Sequence, residues 1–231
     1  MERIGFIGTY DKTDFIIYVE RVLVELGKKV LVIDSTVNQK AKYVVPAINP
    51  TVSYVTEYEG IDVAVGFKDY SGIKRYLGMP ESAMLTYDYI LLDIDNPNLL
   101  EDFDIYAFNR NYFVTSPDLF ALKKGLEVLS GIKLPLELTK IYFTNNMTEA
   151  EDEYVNYLSL GYKIKWNAEK IYFPIQTSDM DIIVQNQRLA KIKFKGLSSE
   201  YKEALIGLVE EIDNNNSSNI KRVFRQLEKG V

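Results

Sequence analysis

The 231-residue chain contains no cysteine and no histidine. Zinc sites built from Cys and His are therefore excluded. So are cysteine nucleophiles, Ser–His pairs and a histidine general base. Acid–base chemistry has to come from Asp, Glu, Lys or Tyr. With no disulfide framework, a cytoplasmic domain is the simpler expectation. No apolar run reaches the ~20 residues of a membrane span. The start, Met1-Glu2-Arg3-Ile4-Gly5, enters a strand-like run without a secretory-leader pattern. Positive charge is in deficit: 27 Lys and Arg face 33 Asp and Glu, a formal net charge of −6. That balance disfavours nucleic acid as a partner.

What is present is a globular composition, 47% hydrophobic and 26% charged. At this length folding buries roughly 70% of the chain's surface, enough for a sizeable core. The 17 tyrosines are scattered, so they read as packing and not as a base-stacking platform. The alternating Lys191, Lys193 and Lys195 would share one face of a strand, too thin a signal for a nucleic-acid site.

Short continuous apolar runs alternate with helical periodicity. Ile4–Ile7 reads as a strand, followed by a polar loop and a helix carrying Phe15, Ile16, Val19, Val22, Leu23 and Leu26, stopped at Gly27. Strands are expected at 29–34, 52–56, 61–67, 87–93, 112–115 and 140–144, and a last central strand at 171–174. Helices are expected at 70–77, 119–132, 149–160, 179–186 and 198–212. Pro117 after Ser116 marks the start of the helix over 119–132. Such alternation predicts a doubly wound α/β fold, a mostly parallel sheet with helices on both faces. We read residues 1–212 as one domain, 213–219 as a polar linker and 220–231 as a C-terminal helix.

A strand, a loop holding Gly8 and Lys12-Thr13, and then a helix form the layout of a phosphate-binding loop. Loop amides and the helix N-terminus face phosphates, the lysine neutralises charge and the threonine hydroxyl holds Mg²⁺. The strict glycine pattern fails, because Asp11 precedes the lysine and sets a carboxylate beside the expected phosphates. Tyr87–Asp93 supplies the second half, an apolar strand ending in a carboxylate that can orient a metal. Asp93 as a plain strand cap is the competing reading.

Taken together these segments resemble the ParA/MinD family of deviant Walker A ATPases over nearly the whole chain. Leu26-Gly27-Lys28-Lys29 leading into Val30–Asp34 is similar to the family's second strand. Tyr87–Asp93 with Pro97 resembles its Walker B strand, and Val114-Thr115-Ser116-Pro117-Asp118 its next strand-to-helix segment. Ile141–Asn146 is similar to the strand whose Asn supports the adenine. Phe173-Pro174-Ile175 with Asp181 and Gln185-Asn186 resembles a further family segment. The resemblance implies ATP with Mg²⁺ as cofactor, held by Gly8, Asp11, Lys12, Thr13, Asp34 and Asn145, with Thr13 and Asp93 at the metal; a vestigial site that binds no nucleotide is the competing expectation. It also implies a homodimer, or pairing with a homologous ATPase, and protein partners in a larger assembly.

The chain departs from the family at the hydrolytic positions. The family loop reads Lys-Gly-Gly-x-Gly-Lys-Thr; here Thr9 and Asp11 replace two glycines, and Ile7 replaces the lysine that reaches the partner's ATP. Thr36 stands where the family has a water-orienting Asp. These changes imply a non-catalytic or weakly catalytic positioning protein of pilus, secretion or partition type, closest in character to the TadZ/CpaE localisation proteins. The alternative is a working ATPase that switches between monomer and dimer on membrane or DNA. A regulator binding another nucleotide is a third reading.

In the tail, Ile220, Val223, Phe224 and Leu227 recur at helical spacing, with Lys221, Arg222, Arg225 and Lys229 around them. A basic amphipathic helix on a polar tether is expected to touch an anionic membrane or a partner, which would make the protein peripheral at the inner membrane face. Packing back onto the domain is the competing expectation.

Overall fold

A computed structural model describes residues 1–48, 50–174, 176–213 and 217–230. Three expectations touch residues outside that set: Ile175, linker residues 214–216, and Val231 of the tail.

The chain alternates as its periodicity predicts. β1 (Glu2–Ile7) leads through the phosphate-loop candidate into α1 (Thr13–Glu25), then β2 (Val30–Ser35) and the single-turn α2 (Ala41–Val44). β3 (Tyr54–Tyr58) and β4 (Ile61–Val65) form an antiparallel hairpin, with Glu59 and Gly60 both at positive φ in the turn. α3 (Tyr70–Tyr76), β5 (Tyr89–Ile94), β6 (Arg110–Thr115) and α4 (Leu119–Val128) follow, then β7 (Leu136–Phe143), α5 (Glu149–Leu158) and β8 (Ile164–Phe173). α6 (Thr177–Leu189), α7 (Ser199–Ile212) and α8 (Ser217–Lys229) close the chain.

Eight strands form one sheet in the order β3-β4-β2-β5-β1-β6-β7-β8. All pairings are parallel except β3 with β4. β2, β5 and β1 sit in the middle and are buried on both faces, so they read as unbroken apolar runs. Two apolar cores cover the two faces. α1, α7 and α8 contribute to one; α3 and α4 contribute to the other.

Several boundaries differ from the sequence reading. β8 is longer than residues 171–174 and forms the sheet edge, not a central strand; its mixed charged and apolar composition suits an edge half in water. Pro117 does not begin α4. Asp118 caps it, accepting from the Ala121 N–H at 2.9 Å, and the helix ends at Val128. α5 opens with the reciprocal Thr148–Glu151 capping box. Its buried Asp152 takes Lys140 Nζ at 2.7 Å, Lys170 Nζ at 2.6 Å and the Tyr142 hydroxyl at 2.7 Å, which anchors the helix on β7 and β8.

The tail is corrected most. The apolar stripe Ile220, Val223, Phe224 and Leu227 does not face outward; all four side chains are buried in the core shared with α1 and α7. Phe224 meets Phe194 edge-on at 5.4 Å, and Lys202 pairs with Glu228 at 2.5 Å. The expected tether is also shorter, since Ser217 and Ser218 already belong to α8. Asp213 is buried, accepting from the Tyr89 hydroxyl at 3.0 Å. Lys221, Arg222 and Arg225 remain exposed on the outer face. An amphipathic helix buries its apolar stripe wherever a matching groove exists, and this domain provides one. Phe224→Ala is accordingly expected to cost about 3–5 kcal/mol in denaturant unfolding. A cost below about 1 kcal/mol would mean that α8 is a detachable tail.

Candidate functional site

The carboxyl ends of β1, β5 and β2 meet at one edge of the sheet, where open α/β folds place their ligands. A cavity of about 330 Å³ opens there, lined by the loop from Thr9 to Thr13, by Thr36, Asn38, Lys40 and Tyr43, and by Asp93 and Asp95. Register explains the convergence. Phe6 of β1 lies opposite Asp93 of β5, and Asp93 lies opposite Asp34 of β2.

Gly8 turns the chain at the end of β1 with φ +136°. A Cβ there would stand 2.3 Å from the Val114 carbonyl oxygen, so only glycine fits. The loop then delivers Lys12 and Thr13 to the first turn of α1. No side chain caps that helix. Its leading amides are therefore available to an anion, with the helix dipole behind them.

Lys12 and Thr13 are buried, and both converge on Asp93. Lys12 Nζ lies 2.7 Å from Asp93 Oδ1 and donates to the Gly8 carbonyl at 2.6 Å. The Thr13 hydroxyl donates to Asp93 Oδ2 at 3.2 Å. Burial pushes the Asp93 carboxyl up to about 7; Asp34 adds to the rise, while Lys12 and Thr13 pull against it.

Asp11 lines the cavity as expected, but its charge is answered: Lys40 bridges Asp11 and Asp14. Asp34 and Asn145 are placed differently. Asp34 is buried outside the cavity lining, where it accepts from Thr36 N at 3.0 Å, the Thr36 hydroxyl at 2.6 Å and Ala41 N at 2.9 Å. It shapes the loop after β2. Asn145 is exposed beyond β7 and is not among the lining residues. Thr36 lines the cavity, yet its hydroxyl is committed to Asp34 and to the Gln39 N–H. Ile7 is fully buried in β1 and presents nothing to the cavity.

Asp95 and Lys40 went unnoticed in the sequence. Asp95 accepts from Val37 N at 2.8 Å and ties the loop after β2 to the end of β5; burial raises its carboxyl pKa. Its signal was available, since a residue two beyond Asp93 shares its side of the chain. Lys40 lies outside every strand and helix that the sequence predicts.

The donor set suits a hard divalent cation shared with phosphates. Such a cation needs one or two protein carboxylates or hydroxyls and takes its other ligands from phosphate and water. Thr13 and Asp93 meet that requirement. Among the described residues there is no cluster of three or more Asp or Glu that would hold a metal alone.

No protein-family model matches the sequence, and no curated protein does. Solved structures do match. The MinC:MinD cell division complex of Aquifex aeolicus aligns at TM-score 0.57 and 14% identity, over 94% of this chain and 97% of that one. A putative plasmid partition protein of Borrelia burgdorferi B31, bound to AMPPNP, aligns at 0.54 and 13%, over 97% and 98%. A ParA-family ATPase of Chlorobium tepidum TLS aligns at 0.52 and 11%, over 98% and 97%. At these identities the likeness is one of fold: the chain has the ParA/MinD-like P-loop NTPase fold, an eight-stranded, mostly parallel sheet with helices on both faces.

Proposed function

We propose that this protein binds a nucleoside triphosphate with Mg²⁺ at Lys12, Thr13 and Asp93, turns it over slowly or not at all, and positions a larger assembly. The observation that carries the reading is the convergence of those three side chains on one cavity under an uncapped helix N-terminus. Thr13 and Asp93 would hold the metal, which would neutralise phosphate charge there. Lys12 would leave Asp93 for the phosphates, and the first amides of α1 would receive their oxygens.

Weak turnover follows from what is missing at the cavity. Thr36 is occupied by Asp34 and carries no carboxylate, and Ile7 carries no charge. Neither can orient a water or stabilise charge on a transferring phosphoryl group. Dimerisation, or pairing with a homologous ATPase, is supported by an apolar rim on the same edge. Val37, Tyr43, Leu119 and Phe120 are exposed, with Tyr43 at 77% and Phe120 at 73%, and Tyr43 lines the cavity. The AMPPNP-bound partition protein and the MinD in complex with MinC make nucleotide and protein partners reasonable for this fold.

Titration calorimetry with ATP and Mg²⁺ tests the proposal. Micromolar binding is expected, dependent on Mg²⁺ and weakened about tenfold in Thr13→Ala, a loss of ~1.4 kcal/mol. That variant removes the hydroxyl while leaving the Lys12–Asp93 pair. Absence of heat at millimolar ATP would overturn nucleotide binding. Sustained multiple turnover would favour the working ATPase instead.

A further inference from the structure

A second groove lies away from the cavity, between the C-terminal end of α8, the segment after α6 and the latter half of α1. Its volume is about 450 Å³. Five cations line it: Arg21, Lys191, Lys193, Lys195 and Lys229. The two carboxylates there, Glu59 and Glu228, are already engaged, Glu59 by Lys191 at 3.0 Å and Glu228 by Lys202. Lys193, Lys195 and Lys229 make no ion pair among the described residues, whereas Arg21 pairs with Glu25 at 3.0 Å and lies 4.0 Å from Glu59. In a chain of net charge −6, three unpaired ammoniums gather in this one groove.

Its geometry has a repeat. Along 191–195 burial alternates: the three lysines are exposed while Ile192 and Phe194 are buried. Alternation of this kind sets successive exposed side chains roughly 7 Å apart, as in an extended strand. The backbone N–H groups from Ile192 to Gly196 donate to nothing among the described residues. Successive amides of an extended segment point to opposite sides and the Lys193 carbonyl already accepts from Tyr18 and Asn186, so the alternate amides of Ile192 and Phe194, beside the lysines, suit an extended chain rich in acceptors. Its carbonyls would meet the amides, and acidic side chains at every second position would meet the lysines.

We propose that this groove docks an extended acidic protein segment of a partner, with carboxylates at alternating positions. The repeat of roughly 7 Å between exposed lysines matches the spacing of alternate side chains along an extended peptide. The inference does not rest on nucleotide binding. The 231-residue protein without nucleotide should bind a fluorescein-labelled peptide of alternating Glu and Thr saturably in fluorescence anisotropy. Binding should weaken as ionic strength rises. A control peptide of alternating Lys and Thr should not bind. The exposed double variant Lys193→Glu/Lys195→Glu, checked for an unchanged fold by circular dichroism, should weaken binding at least about tenfold. Lys40→Ala, at the other cavity, should leave it unchanged. No saturable binding, or equal binding to the double variant, would overturn the proposal. So would a short DNA duplex or anionic phosphatidylglycerol vesicles binding through the same lysines in place of the peptide.

Discussion

Lys12→Ala is expected to destabilise the fold by about 3 kcal/mol or more at pH 8, not merely to remove a ligand contact. The ammonium lies 2.7 Å from Asp93 Oδ1, both groups are buried, and Asp34 stands beside Asp93 on the neighbouring strand. Deleting the lysine leaves a buried carboxyl with only the Thr13 hydroxyl for company. The variant can relieve this by keeping Asp93 protonated, since its pKa is already pushed up to about 7 in the presence of Lys12. Holding that proton becomes harder as pH rises, so the deficit should widen from pH 6 to pH 8. For a chain of this length ~3 kcal/mol corresponds to a fall in melting temperature of roughly 6–12 °C. Adding Asp93→Asn should recover much of the loss at pH 8. Equal melting temperatures for wild type and Lys12→Ala would mean the buried pair contributes nothing. Lys12→Ala is therefore a poor control for nucleotide binding, and Thr13→Ala is preferred above.

Glu20→Leu is expected to raise stability at neutral pH and to flatten its pH dependence. Glu20 lies in the middle of α1, fully buried, and neither carboxyl oxygen has a hydrogen-bond partner. Burial alone drives its pKa well above the ordinary 4.5. A carboxyl with a raised folded pKa binds its proton more tightly in the folded state than in the unfolded one. Stability therefore falls as pH rises from the unfolded value towards the folded one, by about 1.4 kcal/mol per pH unit. Asp93 acts with the same sign between 3.8 and about 7. Urea unfolding across pH 5 to 8.5 should show the wild type losing stability steadily. Glu20→Leu should lose less, keeping the part of the slope due to Asp93, and should exceed the wild type most at the alkaline end. Identical slopes would show that the Glu20 carboxylate finds water or a cation in solution.

The alternation of strand and helix was legible because it is local. Ile4–Ile7, Val30–Ile33 and Tyr89–Leu92 are apolar without interruption, which only a strand buried on both faces requires. The α1 stripe from Phe15 to Leu23 repeats at helical spacing. That Lys12, Thr13 and Asp93 would meet was foreseeable because a Lys-Thr pair after the first strand and a carboxylate at the tip of a second core strand occupy set places in such an order. Asp34 and Asn145 were assigned by resemblance, and the fold sets both outside the cavity lining. Their strand ends were placed well, but which way a side chain turns beyond a strand depends on the loop it meets. For Asp34 that loop is the turn from Thr36 to Ala41, whose amides it accepts.

By itself the sequence determined the element order, the buried central strands and the chemistry at the tip of β1, since each follows from periodicity or from neighbours a few residues apart. The tertiary structure alone decided what those groups do to one another. It closed Lys12 onto Asp93 across a gap of 81 residues, set Lys40 between Asp11 and Asp14, and turned β8 into an edge. It also settled where the tail goes. The spacing of Ile220, Val223, Phe224 and Leu227 states that one face must leave water, but not against what. That choice depends on whether α1 and α7 leave an apolar groove open, which is a property of the packed domain and of no local window.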